Sequence, residues 1–105
     1  MKQLLIIIQA DDAEAACSSL RDAGHRFTRL ASLGGFLGTP NVTLVMAVDD
    51  AVVDGVLAIL RTTCTPRDVD VPLVLSGRLK DWQERAVNYA GATVIVTEAQ
   101  DVIRI

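Results

Sequence analysis

The sequence predicts a small α+β fold in which one antiparallel sheet carries two helices. Short apolar or alternating runs suited to strands fall at residues 4–8, 26–33, 43–48 and 92–97. Two stretches with apolar residues at helical spacing lie between them. The resulting order, strand–helix–strand–strand–helix–strand, is the split βαβ pattern of a ferredoxin-like (βαββαβ) sandwich. The 105 residues suit one domain, 1–105, built on one core. Half the residues are hydrophobic and only 4% are aromatic, so that core must be mainly aliphatic.

Residues 4–8 (Leu-Leu-Ile-Ile-Ile) are continuously apolar, as in a central strand covered on both faces or used at an interface. Asp11 and Asp12 then signal a helix start, and Asp11 with Glu14 has the form of a capping box. Ala13, Ala16, Cys17, Leu20 and Ala23 recur at helical spacing, and Gly24 is placed to stop the helix. In the second strand Arg26, Thr28 and Ser32 fall on one side of an extended chain, with Phe27, Ala31 and Leu33 on the other. Arg29 and Leu30 blur that alternation. A third strand runs over 43–48. Asp49-Asp50 can cap a second helix with Val52, Val53, Val56, Leu57 and Leu60 as its buried stripe, ending near Thr63. Residues 92–97 close the sheet, and 102–105 can add a short edge strand.

Two helices cover only one face of a four-stranded sheet. The strands are apolar on both sides in several places, so the second face is expected to be buried against other subunits. Residues 65–90 are the least regular part. Pro66 and Pro72 interrupt them, Val69, Val71, Leu73, Val74 and Leu75 are strand-like, and 80–89 can form a helical or irregular arm carrying Trp82 and Tyr89. Packing is the simpler role for both aromatic rings, ahead of base stacking.

The net charge of −3 argues against general nucleic-acid binding, which needs a basic face. It leaves room for a phosphate ligand held by a local arginine. No apolar run is long enough for membrane insertion, and the first residues lack a signal-peptide pattern, which together point to the cytoplasm. Cys17 and Cys64 have no metal-ligand spacing and read as reduced structural residues. His25, the only histidine, has no orienting partner in the sequence and reads as a surface or loop residue. Helix capping accounts for the pairs Asp11-Asp12 and Asp49-Asp50. Ser18, Ser19, Ser32 and Ser76 lack a nucleophile-elbow context, and no phosphate-loop motif is present. The sequence therefore favours a protein that is not an enzyme, with no cofactor and no metal.

The stretch 26–43 holds the remaining chemistry. Gly34-Gly35 frees the backbone to turn, Phe36-Leu37 puts two large apolar residues at once into a connection, and Gly38, Thr39, Pro40 and Asn41 complete it. Two readings stay open on these residues alone. In one, Phe36 and Leu37 fold back onto the core. In the other, glycine amides approach a ligand, Phe36 stacks on a ring and Arg26 holds an anion.

This run resembles the cyclic-di-AMP receptor family of PII-like signalling proteins, which share Arg-x-Thr-x-Leu-Ala-x-x-Gly-Gly-Phe-Leu followed by Asn-x-Thr. The matching residues are Arg26, Thr28, Leu30, Ala31, Gly34, Gly35, Phe36, Leu37, Asn41 and Thr43. The likeness extends to a first strand ending in Gln9, to Thr63-Cys64 and to Gly91-Ala92-Thr93-Val94, and it leaves out 65–90.

The resemblance implies a homotrimeric signalling protein that binds cyclic di-AMP in clefts between subunits and passes the signal to a downstream protein partner. It assigns ligand contacts to Arg26, Thr28, Gly35, Phe36, Leu37 and Asn41. Ala47 stands where the family has a glycine near the base, and its extra methyl can crowd a close-fitting ring. Gly24 stands where the family often has Asn, and Ser32-Leu33 replaces a Thr-Thr pair. The alternative is a PII-like interaction or scaffold protein that binds another adenine nucleotide, such as ATP, or no nucleotide.

Overall fold

The computed structural model describes residues 1–33, 40–68, 88–89 and 91–105. Its main sheet has four antiparallel strands in the order β2-β3-β1-β6. They are β1 (Lys2–Gln9), β2 (Thr28–Leu33), β3 (Pro40–Val48) and β6 (Ala92–Glu98). The helices are α1 (Ala10–Asp22) and α2 (Val53–Thr63), the latter entered through a 3-10 turn over Asp50–Val52. A two-residue pair, β4 (Arg67–Asp68) with β5 (Asn88–Tyr89), forms a separate small ladder. The fold is ferredoxin-like and α+β, as the order of the runs predicts.

The register separates the two sheet faces. Leu4, Ile6 and Ile8 of β1 stand opposite Met46, Leu44 and Val42 of β3, and all six are buried under the helices. Ala13, Ala16, Cys17 and Leu20 of α1 and Val56 and Leu60 of α2 complete the core. Burying each large aliphatic side chain is worth about 1.5–3 kcal/mol. Leu5 and Ile7, on the other face of β1, are only half-buried. The continuous apolar run of β1 thus serves a core on one face and a half-buried surface on the other. In β2 the two residues that blur the expected alternation take opposite faces. Leu30 pairs with Thr43 on the open face, whereas Arg29 pairs with Leu44 on the helix side and reaches Glu14 at 2.7 Å. That hydrogen bond raises the Arg29 pKa above its ordinary value.

Several boundaries differ from expectation. α1 begins at Ala10 with Gln9 as its N-cap, and no side chain caps it. The Asp11/Glu14 capping box is therefore absent, and two of the acidic residues there have tertiary tasks. Glu14 holds Arg29, and buried Asp12 accepts a hydrogen bond from the Thr65 N–H at 3.1 Å. Asp49 likewise makes no side-chain cap, and Asp50 pairs with the Met1 amino group at 3.0 Å, which lowers the Asp50 pKa. β3 starts at Pro40 rather than residue 43, since proline fits the first position of a strand. Residues 102–105 form no strand; the chain leaves the ladder after Glu98, with the Ala99 N–H donating to the Met1 carbonyl.

Candidate functional site

Gly24 sets the geometry from which the site is built. Its φ is +86°, and it ends α1 in a Schellman turn: the Gly24 N–H donates to Arg21 O and the His25 N–H to Leu20 O. Asparagine also tolerates this backbone, so the departure at position 24 keeps the turn while removing a polar side chain. The turn delivers His25 and Arg26 to one end of the sheet, just before β2. Phe27 packs against the core, and the Arg21 guanidinium lies 5.4 Å from its ring centre.

Arg26 and Ala47 line one cleft of about 290 Å³, with Gly24, His25, Asp49 and Arg104 among its other walls. Ala47 is also shared by two neighbouring clefts. One includes Val45, whose cross-strand partner is Thr28. Arg26, Thr28 and Ala47 are thus gathered at one end of β2 and β3, and the Ala47 side chain is exposed there. Asn41 is not brought to that end. It pairs with Gln9 and Ser32 at the start of β3, six residues from Ala47, or about 20 Å along an extended strand. Gly35, Phe36 and Leu37 lie outside the described residues, as do Trp82 and most of the irregular stretch.

Sequence reasoning missed the C-terminal residues of this site. Ala99, Asp101 and Val102 face Gln3 and Val45–Ala47 across one cleft, and Arg104 reaches Met1 and Ala47 in the next. The only sequence signal was an arginine within an apolar tail. A larger cavity, about 460 Å³, lies elsewhere, between α2 and β6. Leu57, Leu60, Ala92 and Val94 line it, and Arg61 is its one charged wall among the described residues. A nucleotide site needs several convergent polar groups, so the smaller cleft is the better candidate despite its size. Among the described residues no group of three His, Cys, Asp or Glu side chains can hold a metal, and no helix is long and apolar enough to cross a membrane.

The chain is thus a ferredoxin-like sheet with a cleft at one end that is walled by two arginines. The model of the cyclic-di-AMP receptor family matches residues 1–105, and the chain belongs to that family. A similar solved structure is that of a functionally unknown protein from Pediococcus pentosaceus ATCC 25745. It is 25% identical, superposes with a TM-score of 0.74, and the match covers 99% of this chain and 96% of that one.

Proposed function

We propose that the chain is a single-domain, non-enzymatic receptor for cyclic di-AMP, acting as a cytoplasmic homotrimer with its ligand in clefts between subunits. The observation that carries this is the meeting of Arg26 with Ala47 in one cleft of a chain that matches the receptor family over its full length. Arg26 neutralises phosphate, Thr28 bonds an adenine edge, and Gly35, Phe36 and Leu37 cover the base. Asn41 lies too far along its own strand for the same cleft, so it would serve the ligand from the end joined to 34–39. Ligand binding then shifts the population of these segments, and a downstream protein reads the change.

Ala47 favours a second reading. Its methyl is shared by three clefts, so it can exclude a close-fitting ring and leave a scaffold, or a receptor for another adenine nucleotide. A thermal-shift panel of cyclic di-AMP, cyclic di-GMP, ATP, ADP and AMP separates the two. The receptor reading expects stabilisation by cyclic di-AMP well beyond that by the others. Stabilisation by ATP alone, or by none, supports the second.

A further inference from the structure

We propose that Arg104 is a second anion-holding residue of the nucleotide site, acting with Arg26 to fit it to a ligand that carries two phosphodiester charges. This rests on the receptor reading above. Arg26 precedes β2 and Arg104 lies near the far end of the chain, yet both line the same cleft. Among the described residues neither makes an ion pair, whereas Arg29, three residues beyond Arg26, is taken up by Glu14. Among the described residues Asp49 is the one carboxylate on the wall of that cleft. The neighbouring Asp50 is already paired with the Met1 amino group. Two guanidinium groups facing one carboxylate leave excess positive charge, and His25 adds a further donor on the same wall. Each guanidinium fork can pair with one phosphodiester, so two arginines on one cleft offer a fork to each of two phosphodiesters, while Asp49 offsets only part of their charge.

The tail gives this arrangement its selectivity. Val102 and Arg104 wall the cleft that adjoins Ala47, so the second arginine stands beside the position where the base is expected. Guanidinium–phosphate pairs are charge-assisted and directional, which a lysine reproduces as charge but not as a fork.

The test titrates cyclic di-AMP by calorimetry into the wild type, Arg104→Gln and Arg104→Lys, each at low and at moderate salt. Circular dichroism confirms the fold of each variant. Arg104→Gln should weaken binding about 10-fold or more at low salt, the lower end of a charge-assisted bond. Its affinity should also depend less on salt, because one screened charge pair is gone. Arg104→Lys should bind with intermediate affinity and keep the salt dependence of the wild type. Equal affinity and equal salt dependence in Arg104→Gln would overturn the proposal and leave the receptor reading standing. So would equal losses in both variants with salt dependence unchanged, which would mean that Arg104 acts by packing. A wild type that binds no cyclic di-AMP overturns the receptor reading and this inference with it.

Discussion

Gly24 ends α1 with φ at +86°, and a Cβ built there meets nothing within 4 Å. Substitution therefore meets backbone strain alone. Gly24→Ala should lower stability by about 1–2 kcal/mol, the cost of a left-handed residue with a Cβ, and Gly24→Asn by clearly less. Urea denaturation of the three proteins checks the order; an alanine variant as stable as the wild type would mean that the turn relaxes. At Ala47 the side chain decides instead. If the pocket has adjusted to the methyl, Ala47→Gly should change cyclic di-AMP affinity only modestly. If the methyl has closed the pocket, the wild type should not bind and Ala47→Gly should recover binding. Overpacking costs about 1–3 kcal/mol, so Ala47→Gly should bind at least about five-fold more tightly than the wild type. Calorimetry with excess ligand distinguishes these outcomes, and two folded proteins that both fail to bind would end the cyclic di-AMP assignment. Both positions were legible in the sequence, Gly24 by turn chemistry and Ala47 by resemblance. Arg104 was not, because its place depends on where a tail without strand or helix crosses the end of the sheet.

Hydrophobic period located β1, α1, α2 and β6 to within a residue or a few, since each has an unbroken apolar stripe. It failed at helix starts, where two of the acidic residues read as caps, Asp12 and Asp50, have long-range partners. Asp12 is the clearest case: it is 7% exposed and its carboxylate holds the backbone that follows α2. Sequence distance hides such a bond, because its two ends are 53 residues apart. Gly91 belongs to the same junction. A Cβ there would lie 2.8 Å from backbone atoms of Cys64 and Thr65, so the start of β6 and the end of α2 can approach only through glycine. If Asp12 clasps this junction, Asp12→Ala should destabilise the fold by about 1–3 kcal/mol, the cost of leaving a partly buried N–H without its acceptor. Asp12→Asn retains a carbonyl oxygen and should lose less. Hydrogen exchange at Thr65 provides the local reading: the amide should exchange faster in Asp12→Ala, and unchanged protection would assign its hydrogen bond elsewhere.

Across the whole molecule, α1 and α2 cover one face of the sheet, and the other face is left open among the described residues. Leu5, Ile7 and Val45 are half-buried on that open face, and Leu30 and Ile95 are 52% and 46% exposed. Cross-strand pairing sets Leu5 beside both Val45 and Ile95, so these residues form a continuous aliphatic strip rather than scattered surface positions. Such a strip is costly to leave in water and is covered when copies of the chain pack on it. With three copies, the number the family resemblance implies, light scattering at micromolar concentration should report about three times the mass of one chain. Ile95→Lys places a charge in the middle of that contact without touching the core beneath the helices. It should shift the protein to monomers and, with them, weaken cyclic di-AMP binding, because a cleft between subunits loses one wall. Ala58→Lys, on the exposed side of α2, should do neither. A wild type that stays monomeric would remove both the trimer and the inter-subunit site. A lysine variant that is monomeric but binds cyclic di-AMP as the wild type does would confine the site to one chain, with Arg26, Ala47 and Arg104 as its walls.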